Sequence, residues 1–203
     1  MIEKRGKFIV FEGIGGSGKD TQIEKLEDYF KELGKSVFVT REHTRNTPLG
    51  ELVEDIIKKK KDSVHPTALQ LLYLSDRVNH TENVIKPGLE NYDFGLGNRY
   101  RGSTISYAPP ELRKYFLKVH QEVTIRPDLV IILDLDPIEA AKRVGKRGDA
   151  DIFDTVERLK ICRNGYEWYA KHSGDPCAWI NADENKEEVV EKVLKEIEKR
   201  KII

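Results

Sequence analysis

Cysteine is nearly absent from this chain: Cys162 and Cys177 are the only two in 203 residues, and their spacing matches no metal-binding pattern. That excludes a disulfide framework and a cysteine-built zinc site; two reduced thiols are expected. No apolar run approaches the roughly 20 residues that a bilayer-spanning helix needs, and no leader-type segment is apparent. No membrane partner is expected, and the expected localisation is cytoplasmic. Net charge is missing as well. The 35 Lys and Arg balance 35 Asp and Glu, which removes the cationic excess of a general nucleic-acid binder. Internal repeats and low-complexity linkers are absent, so residues 1–203 read as a single domain. The five histidines show no ligand spacing and read as ordinary polar positions.

What is present is a high charged fraction, 34%, interrupted by short apolar strands and amphipathic stretches. Lys7–Glu12, Val37–Thr40, Tyr92–Asn98, Asp128–Leu135 and Cys177–Ile180 read as strands. Helices are predicted over Lys19–Leu33, from Pro48 after a Thr47 cap, from Pro66 through Val84, from Pro109-Pro110 towards Val123, from Pro137, over Thr155–His172 and over Asn185–Arg200. Strands and helices alternate, which predicts a parallel sheet with right-handed crossovers and helices on both faces. A ligand site then belongs at the carboxyl ends of the strands.

The first strand leads into Gly13-Ile14-Gly15-Gly16-Ser17-Gly18-Lys19, and a helical pattern follows. That is the strand–loop–helix context of a phosphate-binding P-loop. Backbone N–H groups of such a loop cradle phosphate oxygens, the helix N-terminus adds partial positive charge, and Lys19 adds a full one. The fold class is therefore α/β: a three-layer P-loop NTPase fold with a five-stranded parallel sheet and helices on both faces. Further cations fall at strand ends or beyond them: Arg41 and Arg45 after the second strand, Arg99 after the third, and Arg143, Lys146 and Arg147 after the fourth. Any one of these also reads as a surface ion-pair partner. As a set in this topology they suit phosphoryl transfer, where charge neutralisation and alignment dominate. Tyr73 and Arg77 share a helix face. They read either as a base-stacking pair or as core packing with a salt bridge, and spacing does not choose.

Taken together, these stretches resemble the thymidylate kinase family. Residues 11–22 resemble its FEGxDGxGKxTQ loop. Thr40-Arg41-Glu42 and Thr47–Glu51 resemble its TRE…TPLGE stretch, and Leu71–Arg77 its LLF..DR helix. Asn98-Arg99-Tyr100 with Ser103 and Tyr107 resembles DRY..S..Y, Pro127–Pro137 the fourth-strand motif, and Arg143–Asp154 the RxxKRG…DRFE lid. The resemblance implies transfer of the γ-phosphoryl group of ATP to dTMP, giving dTDP and ADP, with Mg²⁺ as cofactor and a homodimer as the assembly. It places ATP on Gly13, Ile14, Gly15, Gly16, Ser17, Gly18, Lys19, Asp20 and Thr21. It places dTMP on Arg45, Tyr73, Arg77, Arg99, Ser103, Thr104 and Tyr107. Lys19, Arg99, Arg143 and Arg147 become the catalytic cations, and about 144–154 a mobile lid.

Four positions depart from the family pattern: Gly15 for an aspartate, Asp20 for Ser/Thr, Asn98 for the aspartate of DRY, and Ile152 for the arginine of DRFE. A carboxylate at Asp20 next to a triphosphate repels it unless a cation lies between, so Asp20 is expected to approach Mg²⁺ directly or through water. The other reading is that position 20 tolerates variation and Thr21 suffices. The departures also motivate two runner-up functions: a kinase for another nucleoside monophosphate, and a catalytically weakened dTMP-binding paralogue.

Overall fold

A computed structural model describes residues 5–58, 64–148 and 153–203, and of Arg147 the backbone alone. Strand β1 (Lys7–Glu12) is central, pairing in parallel with β3 (Phe94–Asn98) on one side and β4 (Leu129–Asp134) on the other. Strands β2 (Val37–Arg41) and β5 (Cys177–Asn181) complete the sheet, in the order β2-β3-β1-β4-β5. All pairings are parallel, as the alternating elements predict. Both faces of β1 are buried. Phe8 and Val10 pack with Ile85, Leu89 and Tyr100, whereas Ile9 and Phe11 join a larger cluster that includes Phe30 and Leu96. A strand covered on both faces reads as a continuous apolar run, which is what Phe8–Phe11 is.

Helix α1 (Lys19–Glu32) follows the glycine loop, and Phe30 stacks on Phe94 of β3 at 4.0 Å between ring centroids. Helix α2 (Pro48–Lys58) begins where Thr47 Oγ1 accepts the Gly50 N–H, as the Thr-Pro pair predicts. Helix α3 (Pro66–His80) is shorter than its apolar pattern suggests. A π-turn over Thr81–Ile85 separates it from α4 (Lys86–Asn91). Pro87 sits in the first turn of α4, directly after the π-turn. The third strand starts two residues later than expected, because Asp93 turns aside to accept from the backbone and hydroxyl of Ser36.

Helix α5 (Arg101–Tyr107), absent from the sequence reading, follows β3 and lies against α8 (Val156–His172). A 3₁₀ turn over Pro110–Leu112 leads into α6 (Arg113–Val123). Helix α7 (Pro137–Arg147) extends into the stretch that the resemblance assigns to the lid, about 144–154, and α9 (Lys186–Lys199) packs beside α1. Residues 149–152, including Ile152, lie outside the described residues. Among the described residues no helix is long and apolar enough to cross a membrane. Both cysteines are free thiols, and burial pushes Cys177 up to about 12.

Candidate active site

The carboxyl ends of β1 and β3 set the site. After Glu12 the backbone swings out at Gly13, whose φ of 138° disfavours any side chain and whose Cβ would lie 2.6 Å from the Leu133 carbonyl oxygen. Gly18, at φ 87°, caps α1 without a side-chain hydrogen bond, leaving the helix's first N–H groups directed into the loop for an anion. Lys19 is buried, and its ammonium donates to the carbonyl oxygens of Gly13 (3.0 Å) and Ile14 (2.9 Å) and to Ser17 Oγ (3.3 Å). The charge is thus held over the curl of the loop.

Arg99 enters from β3. It is the one non-glycine residue near the loop with a left-handed backbone, φ 70°. Such strain at a cavity rim marks a side chain aimed for a purpose. Its Nη1 donates to the Gly13 carbonyl at 3.1 Å, to Ser103 Oγ at 3.1 Å and to the Tyr166 hydroxyl at 3.2 Å, and its guanidinium lies 5.6 Å from the Tyr107 ring centroid. Lys19 and Arg99 therefore meet on one carbonyl oxygen.

Glu12 makes that placement possible. Fully buried, it accepts from the backbone N–H of Tyr100 (2.9 Å) and Ser103 (3.0 Å), from Ser103 Oγ (2.7 Å) and from the Tyr166 hydroxyl (3.1 Å). Burial pushes its carboxyl above the ordinary value, against the Ser103 hydrogen bond and the Arg99 and Arg77 charges. Burial also raises the Tyr166 phenol well above its usual value, with the Glu12 charge adding to the effect, so Tyr166 stays a neutral donor. Sequence reading missed both residues. The available signal was a carboxylate closing an otherwise apolar strand.

Beside the loop lies a cavity of about 420 Å³. It gathers Arg45, Tyr73, Arg77 and Arg99 with Ser103, Thr104 and Tyr107, all the residues expected around the acceptor, and Gly15 joins them at the loop edge. Arg77 is a buried salt-bridge partner as well as a lining residue. Its Nε donates to Glu42, and its Nη1 donates to Thr104 Oγ1 at 2.6 Å. Asp76 accepts from the backbone and hydroxyl of Thr44 and from the Thr47 hydroxyl, fastening the Arg45 loop to α3. Gly15 leaves room for Asp154: a Cβ there would lie 2.3 Å from Asp154 Oδ1. Phe153 packs edge-on to Tyr107 at 5.0 Å.

Asp20 is engaged by two partners: Asn98 Nδ2 donates to its Oδ1 at 2.8 Å, and Arg41 forms an ion pair with the same oxygen. Arg41 and Asn98 are register partners on β2 and β3, so the sheet delivers both to the first turn of α1. Arg143, expected among the catalytic cations, does not line the cavity. Its guanidinium bonds Glu139 at 3.0 Å, the Ala182 carbonyl at 3.4 Å and Asp183 at 3.3 Å, drawn to the β5–α9 connection. The side chain of Arg147 lies outside what is described.

With this geometry in view, the thymidylate kinase family model matches residues 11–193. A probable thymidylate kinase of Methanosarcina mazei is 32% identical over 200 residues, covering 95% of this chain and 96% of the relative. A thymidylate kinase of Caldicellulosiruptor saccharolyticus is 36% identical over 201 residues, covering 96% and 97%. The solved thymidylate kinase of Candida albicans superposes with a TM-score of 0.81 at 20% identity, covering 98% of this chain and 93% of its own. That likeness carries the fold.

Proposed function

The chain belongs to the thymidylate kinase family, and from that premise we propose how its residues divide the work. The reaction is transfer of the γ-phosphoryl group of ATP to dTMP, giving dTDP and ADP. An oxygen of the dTMP phosphate forms the new bond to γ-phosphorus as the bond to the bridging oxygen of ADP breaks. The attacking oxygen is already ionised, so alignment and charge neutralisation are the protein's tasks. The observation that carries the assignment is the meeting of Lys19 and Arg99 on the Gly13 carbonyl, at the rim of a cavity that also holds Tyr73 and Arg77. In this reading Gly13–Thr21 hold the ATP phosphates with Lys19, Arg45 and Arg99 hold the acceptor phosphate, and Tyr73, Arg77 and Thr104 surround the base. The same reading assigns Arg147 the role of stabilising the transferring group. A coupled ADP-release assay over a panel of monophosphates tests the function. Turnover with dTMP and little with UMP or dCMP is expected; tight dTMP binding without ADP release would sink the kinase assignment.

The donor set near Asp20 fits magnesium. Among the described residues no cluster of three or more acidic, His or Cys side chains could cage a metal. Mg²⁺ that shares its shell with nucleotide phosphates asks for only one or two carboxylates, and Asp20 supplies one in the first turn of α1. Asp20 would hold such an ion beside the phosphates, where it would supply charge neutralisation; Asn98 and Arg41 hold the carboxylate in place. Asp20→Thr is expected to weaken Mn²⁺ binding in the presence of ATP, read by electron paramagnetic resonance, and to lower turnover. Unchanged Mn²⁺ affinity together with faster turnover would assign position 20 no metal role.

A homodimer and a cytoplasmic setting complete the proposal. Leu71 and Val84, exposed along α3 and the π-turn, offer a self-association face, which light scattering at micromolar concentration checks. The closing segment at 144–154, entered from α7 and left through Phe153 and Asp154 at the cavity, is expected to gain protection from proteolysis when ATP and dTMP bind together.

A further inference from the structure

Gln70, Tyr73 and Arg77 stand at i, i+3 and i+7 on one face of α3, and all three line the cavity. Tyr73 sets its ring 5.9 Å from His43, edge-on, and Arg77 is committed to Glu42 and Thr104. Gln70 differs. It is 2% exposed, and its carboxamide oxygen is closed off from solvent and accepts no hydrogen bond. A buried acceptor left without a donor is unfavourable. The other such atoms, on Gln22, Ser106, Arg113 and His120, belong to residues away from this cavity. Among the described residues, Gln70 alone combines an unpartnered buried polar atom with a place in the cavity wall. Ile56, Ile57 and Leu69 pack together beside it, where an apolar side chain of the same volume would fit. A carboxamide in that setting calls for a donor that arrives with the ligand.

The chemistry of the donor follows from what the cavity already offers. Arg45, Arg77 and Arg99 are donors, suited to phosphate and carbonyl oxygens. Of the three lining carboxylates, Glu42 is held by Arg77 and His80, Glu54 by His43 and Lys58, and Asp154 stands at the Gly15 edge of the loop. Among the neutral acceptors, Ser103 Oγ already accepts from Arg99 and Thr104 Oγ1 from Arg77, whereas Gln70 Oε1 still lacks a donor and suits a ring N–H. We propose that Gln70 reads the pyrimidine imide edge of the acceptor nucleotide, its Oε1 accepting the ring N3–H and its Nε2 donating to a flanking ring carbonyl. The assignment rests on the dTMP reading above. It makes Gln70 a specificity-determining residue: cytosine, which carries no hydrogen on N3, leaves the oxygen unpaired and is disfavoured.

Gln70→Met, nearly isosteric and without the carboxamide, tests this. dTMP and its N3-methyl derivative are titrated calorimetrically into wild type and variant, with melting temperatures recorded alongside. Wild type is expected to prefer dTMP by about tenfold or more, the scale of a hydrogen bond whose partner is left unpaired. In Q70M, dTMP weakens by about tenfold while the N3-methyl compound changes little, so the preference collapses. The melting temperature holds or rises, because the orphaned oxygen is gone. Q70L serves as a second variant should Q70M fold poorly. A variant that keeps the preference, or loses both ligands equally, overturns the assignment. Wild-type turnover of dTMP, measured first, separates the two claims. Its absence removes the substrate reading and Gln70's role with it, whereas an active wild type with an unaltered Q70M removes the role alone.

Discussion

At the scale of single residues, two glycines predict unequal outcomes from the same substitution. A methyl group at Gly15 would meet the carboxylate tip of Asp154 at 2.3 Å, whereas one at Gly50 would meet the Thr44 backbone carbonyl at 1.9 Å. A side-chain tip swings aside; a carbonyl anchored by its neighbours does not. Gly15→Ala is therefore expected to change stability by less than about 1 kcal/mol, and Gly50→Ala to lose about 1–3 kcal/mol or more through overpacking, both read by urea unfolding. In G15A the displaced carboxylate faces the acceptor cavity, so its effect belongs in the KM for dTMP; equal stability losses in the two variants would refute the contrast. His120 makes a second residue-scale case. Burial holds its pKa well below 6.5, and the Arg77 and Arg101 charges push the same way. A depressed folded-state pKa contributes stability that is present above the unfolded value and lost as pH falls towards the folded one. Stability is then expected to decline below pH 6.5 with a slope of up to about 1.4 kcal/mol per pH unit. His120→Gln flattens that part of the profile whatever its own offset; an unaltered slope would place the acid sensitivity elsewhere.

Secondary-structure elements were legible where local chemistry and tertiary packing agree. The apolar run of β1, the glycine turn and the Lys19 helix all follow from their own residues. So does the start of α7, where Asp136 precedes Pro137 and its carboxylate accepts from the N–H groups of Ile138 (2.8 Å) and Glu139 (3.3 Å). Asp136→Ala is expected to lower stability by about 1 kcal/mol, the usual worth of an N-cap, while leaving the KM for dTMP unchanged. A shift in KM would mean that α7 is coupled to the acceptor cavity. Helix α5 shows what the sequence hides. Gly102, Ser103, Thr104 and Ile105 are poor helix formers, and nothing in their spacing announces a helix. Packing decides: Gly165 on α8 has no side chain, and a Cβ there would lie 2.3 Å from the Ser106 carbonyl, so the two helices approach closely. The cavity was legible in part for the same reason. Arg45, Tyr73 and Arg99 stand in recognisable motifs, whereas Glu12, Tyr166 and Gln70 acquire roles only through partners, or a missing partner, distant in the chain. Arg143 reads as a site cation by position alone, but Glu139, one turn back on the same helix, and Asp183, beyond β5, draw it away.

Across the whole molecule, one buried ion pair ties the site-bearing helix to the far side of the sheet. Arg101, which opens α5 two residues after Arg99, donates through Nε to Asp175 Oδ2 at 2.9 Å and pairs through Nη2 with Oδ1. Tyr169 of α8 donates to the same carboxylate, and Ser173 Oγ accepts the Asp175 N–H at 3.1 Å. The side chains of Arg101 and Asp175 are 3% and 1% exposed, so neither charge has solvent to fall back on. Two crossovers, from β3 to β4 through α5 and from β4 to β5 through α8 and the lead into β5, are therefore joined at one carboxylate. Removing one partner of a buried pair leaves an uncompensated charge and loses about 3–5 kcal/mol, whereas replacing both by apolar groups is often neutral or stabilising. Asp175→Asn is expected to lower the melting temperature by roughly 6–20 °C for a domain of this size. It should also raise the KM for dTMP below that temperature, since α5 carries Ser103, Thr104 and Tyr107 into the cavity. The double variant Arg101→Met with Asp175→Leu is expected to recover much of the stability. Should it melt no higher than Asp175→Asn alone, the stranded guanidinium is not what destabilises the single variant, and the junction holds the two crossovers through the hydrogen bond that Tyr169 donates to the carboxylate instead.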